Sequence, residues 1–539
     1  MAVLAVLIIV ASILLVHGYY LSLTIEQPAV GGQYTEGMLG SPQYLNPALA
    51  NNDIDRDLTR IIFSSLFKQD QNNNLTGDLA DRYEIGDFGK IIDVWLKDNV
   101  VWHDGEKLTA DDIIFTIKTI QDPAFKSPLR PNLSGIEIEK IDDYYLRFRL
   151  KTYYAPFLQN LTFGILPKHL WQNISASQFP LHELNLKPVG SGPFSFATIK
   201  KNKDGEIKSI NLTAFADYFT GRPYLKNLTF NFYRDQETML NDLNQGVIEG
   251  LNYISPSLLS TIKDRTALVP HILKLPRYFA VFLNQNQSTA LANRNVRLAL
   301  NYATDKQKIV DQALQGYGQV IDGPIIPGIL GYQEQPPTFT FDQQKTRDIL
   351  AQDGWSDQNG DGFLEKGAET LALGIVTLDW PELKKTAELL KEAWEAVGIK
   401  VDLNFEDIAS LQQTVIRPRQ YQALIFGEIL AKEPDPFAFW HSSQKTDPGL
   451  NIALYDNQQA DKLLSDARQE LDEKTRQTDY RQFEQLIVKD VPAVFLYTQN
   501  YLFVVKKSIA GIRMEFANTP AERFNFINEW YIKTERAWK

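Results

Sequence analysis

The sequence predicts an α/β protein of roughly three compact units, held outside the cytoplasm behind an apolar N-terminal segment. Three observations lead there. At about 100–200 residues per domain, the 539-residue length allows about three units. Strand and helix patterns alternate along the chain, with no internal repeat and no low-complexity linker. No residue from Met1 to Thr24 carries a formal charge, and positions 2–16 are apolar except for Ser12.

That first stretch, residues 1–25, reaches the length that spans a bilayer, and Tyr19 and Tyr20 place aromatic rings at one interface. Two readings of it stay open. An uncleaved membrane anchor is favoured because no small-x-small site follows Val16, whereas a cleaved signal normally has a shorter apolar region ending in such a site. The missing basic residue ahead of it predicts a true start upstream. On either reading the remainder lies outside the cytoplasm.

The early part is strand-rich. Residues 33–38, 91–97 and 145–151 carry the β-branched and aromatic enrichment of strands. Between them, 108–122 predicts an amphipathic helix, with Thr109 and Asp112 as a capping box and Ile113, Ile114, Ile117 and Ile120 as its apolar stripe. Three strands follow at 194–200, 209–215 and 228–233, separated by turns at Asp204-Gly205 and at 220–223. The basic cluster at 200–203 is read as a solvated hairpin tip. A helix at 237–245 ends at Gly246.

The second half is more helical. Helices are expected at 295–302 and at 304–314, the latter capped by Thr304 and Gln307 and closed by Gly316. Further helices are expected at 342–352 and, with proline in its first turn, at 381–397. Strands at 400–405 and 422–428 flank a helix at 409–416. Helices at 457–471 and 474–489 precede a strand at 493–497.

Composition narrows the function. A net charge of −11 and a pI near 5.3 supply no basic surface to displace counterions from a phosphate backbone, so no nucleic-acid partner is expected. The absence of cysteine removes disulfides, thiolate metal sites, cysteine nucleophiles and lipid attachment through an N-terminal cysteine. Six histidines lie scattered without ligand spacing, and no phosphate loop, dinucleotide fingerprint or nucleophile elbow occurs. Ser260–Lys263 matches Ser-x-x-Lys but lacks the companion elements of serine acyl-enzymes. Asp357, Asn359, Asp361 and Gly362 resemble the start of a calcium loop, yet its twelfth position is Ala368, and a polar β-turn is the better reading. No metal, no cofactor and no catalysis is expected.

A set of motifs then points to one family. These are Ser41–Pro47 (SPQYLNP), Leu79–Glu84 (LADRYE), Val94–Gly105 (VWLKDNVVWHDG), Leu108–Asp112 (LTADD), Gly190–Phe194 (GSGPF), Val296–Asp305 (VRLALNYATD), Gly323–Pro327 (GPIIP) and Tyr455–Leu464. In this order, over residues 33–510, they resemble the extracytoplasmic solute-binding proteins of family 5, the peptide, dipeptide and nickel class. Residue by residue most have a plain scaffold reading: Gly190, Gly192 and Pro193 a tight turn, Arg297 and Asp305 helix-surface and capping positions.

The resemblance implies a two-lobed, periplasmic-binding-protein-like fold (type II) with an extra subdomain. Lobe 1 would take residues 31–275 plus 500–539, with the subdomain near 70–185, and lobe 2 residues 276–499. Residues 278–284 and 495–505 would form the hinge strands. It further implies a short peptide, or alternatively an oligosaccharide or other solute, held in the interlobe cleft, with an ABC permease and ATPase as partners. A surface sensor or chaperone uncoupled from transport is the alternative of another class. The ligand-binding residues it implies are Tyr44, Glu428, Ile429, Leu430, Lys432, Glu433, Asp435 and Trp440; Trp440 and Phe437 would be stacking surfaces for an oligosaccharide, with core packing the favoured reading of both. One departure matters. The family's amine-binding aspartate falls on Lys432, which would repel a protonated amine by about 1–4 kcal/mol. Either Glu433 or Asp435 substitutes for it, or the ligand presents an anion to Lys432, or the match slips by one.

Overall fold

The computed structural model describes residues 2–264, 266–334 and 338–539. Its fold is two-lobed α/β. One buried apolar core is drawn from residues 278–497; another combines residues 34–275 with residues 501–530. A small third cluster packs Met239 and Leu243 against Leu502 and Val504. Trp102 and Trp530 sit fully buried in one main core, Trp394 and Trp440 in the other. Each such ring withdraws enough surface to stabilise the fold by roughly 4–6 kcal/mol.

A single eleven-stranded sheet runs through both lobes. In lobe 1 the antiparallel strands Phe194–Lys201, Ile207–Ala214 and Asn227–Tyr233 join Gln33–Leu39, which pairs parallel to the last of them. In lobe 2 Ala372–Leu378 pairs parallel with Lys400–Glu406 and with Ala423–Ile429. The middle is made by two long antiparallel strands, Leu268–Leu283 and Ala493–Lys506. The second is far longer than the expected 493–497, because its apolar run continues past Thr498 into the other core. A separate four-stranded sheet contains Ala80–Gly86, Ile91–Leu96, Tyr145–Arg149 and Glu137–Asp142.

The motifs turn out to be the scaffold's fasteners. Thr109 and Asp112 make the expected capping box of the helix Ala110–Gln121, and Ile113, Ile117 and Ile120 are buried, with Ile114 only partly so. His103 clasps the Gly190–Phe194 turn: its Nδ1 accepts from the Gly190 N–H at 3.1 Å and its Nε2–H donates to the Gly192 carbonyl at 3.0 Å. Glycine is required there, since a Cβ on Gly190 would lie 1.9 Å from the Ile62 carbonyl oxygen and one on Gly192 would lie 2.5 Å from that of Ile61. Burial drives the His103 pKa down to about 4. Asn46 of the SPQYLNP segment bonds Asn185 across the same core at 3.0 Å.

Two expectations about the Val296–Asp305 motif are corrected. Arg297 is not a helix-surface residue; it is buried and donates to the carbonyls of Val491, Leu291, Ala292 and Asp490 at 2.8–3.1 Å. The helix Lys306–Ala313 is capped by Asp305, whose side chain accepts from the Lys308 N–H at 2.9 Å. Thr304 instead donates to the Leu300 carbonyl and accepts from the Trp394 indole, and Gln307 is exposed. The segment expected as a helix at 409–416 is one turn, Ile408–Ser410, continuing as the π-helix Leu411–Ile416. At Asp357–Gly362 the carboxylates are taken up by the loop's own N–H groups, Asp357 accepting from Gly360 and Gly362, as in a polar turn.

The N-terminal segment is a helix, Ala2–Leu23, whose window Val6–Leu23 is long and apolar enough to cross a membrane. Its outlet is bound to the far end of the chain. Strand Thr24–Ala29 pairs antiparallel with Lys533–Trp538, with Thr24 opposite Trp538. The Tyr20 and Trp538 rings meet edge-on at 6.0 Å, and Arg536 donates to the carbonyls of Leu21 and Thr24. A buried ion cluster secures the C-terminal segment: Arg523 donates to Asp57 and Glu36 at 2.7–2.8 Å, all three side chains being almost fully enclosed.

Candidate functional site

The site is set by an interruption in the two long strands. Their register breaks between the pairs Lys274–Asn500 and Tyr278–Thr498, so one strand advances four positions while the other advances two. Pro276 explains the break, since it has no N–H to continue the ladder; its carbonyl accepts instead from the Leu430 N–H at 2.7 Å. A bulge of this kind re-aims the side chains beside it. Here Arg277 and Gln499 line a cavity of about 880 Å³.

Both cores contribute to that cavity. Leu39, Gln43, Asn252, Tyr253 and Ser255 come from the lobe 1 side, and Phe279, Trp380, Pro381 and Glu382 from the lobe 2 side. Its size falls within the roughly 300–1,000 Å³ typical of small-ligand clefts, and an interface between domains is a favoured place for one. Trp380 leaves 49% of its surface open beside the cavity. Pro381 occupies the first turn of the helix Pro381–Glu395 and sets Glu382 directly after it, where free backbone N–H groups favour a carboxylate.

Three charged residues line this cavity; Asp53 is paired with Arg56 at 3.1 Å, which leaves Arg277 and Glu382. Arg277 has no carboxylate within ion-pair distance among the described residues, and its Nε is buried without a hydrogen-bond partner. Glu382 accepts from the Ser255 hydroxyl across the cavity but meets no cation among the described residues. The Tyr253 phenol is pushed up by burial and further up by Glu382, while Arg277 pulls it down. Arg277, Tyr253, Trp380 and Glu382 all escape sequence reasoning. The nearest signals were the Pro276-Arg277 pair ahead of a hinge strand and the Trp380-Pro381-Glu382 helix start.

None of the eight residues chosen from the sequence lines this cavity. Glu428 and Trp440 are buried, at 3% and 0% exposed, and Trp440 takes the core-packing place favoured for it. The Trp440 indole donates to the Tyr278 hydroxyl at 3.2 Å, and Tyr278 in turn donates to Glu428, whose carboxyl burial drives well up. Leu430 is likewise buried, and Phe437 stacks on His441 with ring centroids 4.0 Å apart. Ile429 is exposed and sits opposite Arg277 in the ladder, while Tyr44 is half-buried next to the cavity residue Gln43.

The two substitutes considered for the missing aspartate are already engaged. Glu433 forms a two-pronged pair with Arg476 at 2.8 and 3.2 Å. Burial pushes the Glu433 carboxyl up and Arg476 partly offsets this. Asp435 Oδ2 accepts from Tyr154 at 2.9 Å and from Arg468 at 2.8 Å, while its Oδ1 is buried without a partner. Lys432 is neither buried nor aimed into the cavity. Its Nζ donates to Asn74 Oδ1 at 2.6 Å and its N–H to Asn518 Oδ1 at 3.1 Å, tying this loop to lobe 1.

Known proteins share this design. The model of the bacterial extracellular solute-binding proteins, family 5 (middle), matches residues 74–451. The oligopeptide-binding protein AppA of Bacillus subtilis is 31% identical over 515 residues, covering 94% of this chain and 92% of that one. The dipeptide-binding protein of Escherichia coli is 25% identical over 504 residues, covering 88% and 90%. Among solved structures, that of Bacillus subtilis AppA in complex with a nonapeptide superposes with a TM-score of 0.76 at 30% identity, over 94% of this chain and all of that one. The ABC transporter substrate-binding protein CtaP of Listeria monocytogenes gives 0.82 at 25% identity, over 94% and 100%. The chain belongs to the bacterial extracellular solute-binding proteins, family 5.

Proposed function

We propose that this family 5 solute-binding protein captures short peptides in the cavity at the strand bulge and hands them to an ABC permease driven by its ATPase, acting as a binder and not as an enzyme. The observation that carries the reading is the cavity itself, walled from both cores beside the two long strands Leu268–Leu283 and Ala493–Lys506 that run between them. A ligand there touches both walls and favours the closed arrangement, which is the state a permease would recognise. The relatives named for oligopeptide and dipeptide binding, and the nonapeptide complex, supply the ligand class.

In this reading lobe 1 spans residues 31–275 and 500–539, lobe 2 spans 276–499, and residues 278–284 and 495–505 serve as the hinge. Helix Ala2–Leu23 anchors the protein to the outer face of the cell membrane. Tyr44, Ile429 and Lys432 act at the rim of the cleft, Lys432 by joining Asn74 when the lobes meet.

Native mass spectrometry of protein purified without refolding tests this directly. A heterogeneous set of retained short peptides is expected. A single discrete sugar, or an empty cavity after challenge with a peptide library, overturns the reading.

A further inference from the structure

Arginines elsewhere in the protein show what a satisfied guanidinium looks like here. Arg297 holds four carbonyls, Arg419 holds those of Lys445, Ile416 and Gly449, Arg476 pairs with Glu433, and Arg523 with Asp57 and Glu36. Arg277 has none of this among the described residues. Its Nε is enclosed and unbonded, and its guanidinium lies over the Phe279 ring at 5.4 Å. A buried cationic donor left without an acceptor carries a desolvation cost that a scaffold residue avoids. Its planar fork matches a carboxylate.

Glu382 is its counterpart. It is a carboxylate on the cavity wall, bonded by Ser255 and facing no cation among the described residues. The two charges do not pair with each other, so space between them remains, yet both line the same cavity, Arg277 at the strand bulge and Glu382 in the first turn of the helix Pro381–Glu395. Meanwhile the residues of the 432–435 loop are engaged with Asn74, Arg476, Arg468 and Tyr154.

We propose that Arg277 holds the terminal carboxylate, and Glu382 the terminal ammonium, of a zwitterionic short peptide lying across the bulge. The assignment rests on the peptide-capture reading above. It moves amine recognition from the loop at 432 to the first turn of the helix Pro381–Glu395, and it makes free termini the determinant of specificity.

The test uses the full chain in detergent and three probes: a mixed tripeptide library, the same library with C-terminal amides, and the same library N-acetylated, each titrated by calorimetry. Wild-type protein is expected to lose roughly ten- to hundredfold in affinity for the amidated and for the acetylated library. Arg277→Met, with its fold checked by thermal melting, is expected to lose the acid-over-amide preference and keep the preference for a free amine. Glu382→Gln should do the reverse. Equal binding of all three libraries by the wild type overturns the assignment and leaves peptide capture standing. Binding of none of them overturns peptide capture itself, and this assignment with it.

Discussion

The loop at 428–440 and the bulge at 275–279 lie on neighbouring strands, yet they handle charge in opposite ways. In the loop each acidic side chain is held by a protein partner: Glu428 by Tyr278, Glu433 by Arg476, Asp435 by Arg468 and Tyr154. At the bulge, among the described residues, Arg277 meets no acceptor and Glu382, across the cavity, meets no cation. The lesson is that a family's ligand loop and this chain's available charges need not coincide. A side chain that is buried and paired contributes to stability; a charge that is placed in a cavity and left without a counter-charge is available to a ligand.

Trp440 offers the sharpest way to break that contrast. Trp440→Ala should destabilise the protein by roughly 3–5 kcal/mol in urea unfolding, since it empties a fully buried indole site and removes the donor to the Tyr278 hydroxyl oxygen. A variant of unchanged stability that loses peptide binding would return Trp440 to the ligand.

Arg476→Met comes next, at about 2–4 kcal/mol, because it leaves Glu433 enclosed and unpaired. With Arg476 gone, burial and the nearby Glu473 charge act on Glu433 unopposed, so its folded pKa, already raised, moves further above the unfolded one. The folded state then binds the extra proton, and the deficit should shrink as pH falls below neutral. Guanidinium unfolding at two pH values checks this; a deficit independent of pH contradicts it.

His103 extends the satisfied class to lobe 1. Its folded pKa of about 4 lies below the ordinary 6.5, so the unfolded chain binds the proton first. Stability is therefore whole above pH 6.5 and falls by about 2–3 kcal/mol toward pH 4, as Nδ1 is forced to give up the Gly190 N–H. Comparing the pH dependence of wild type and His103→Gln isolates the effect, and parallel curves would exclude it.

The smallest effect is expected at Lys432. Lys432→Ala should change stability by less than about 1 kcal/mol and peptide affinity by a few-fold at most, since it removes one polar contact at the rim. Tenfold tighter capture of free-amine peptides by Lys432→Asp would place the ammonium at 432 and dissolve the contrast.

Much of the fold could be read from local pattern. The capping box at Thr109, the proline at the head of Pro381–Glu395 and the alternation in Gln33–Leu39 all act within a few residues, and each element formed where its pattern lay. What stayed hidden depends on distant partners. Strand Lys533–Trp538 is charged and exposed, and only its pairing with Thr24–Ala29 makes it a strand. Arg277 is an ordinary arginine in sequence; it becomes a site residue because Pro276 breaks a ladder whose other half lies more than two hundred positions away. Trp440 stayed ambiguous between core and cleft for the converse reason. An aromatic near a ligand motif has the same sequence signature whether it faces the cleft or the core.

The division of the cores also fixes the order in which the molecule can be completed. The core of residues 278–497 is one continuous stretch, so it has all its parts before the chain's end arrives. The other core waits for residues 501–530, among them Arg523, and the ribbon beside helix Ala2–Leu23 waits for residues 533–538. During export from the N-terminus the half made first must remain open until the last residues follow. The lobe that leads the chain across the membrane is therefore the last to close, and a chain cut short near residue 500 would leave that lobe unfinished while supplying every residue of the other.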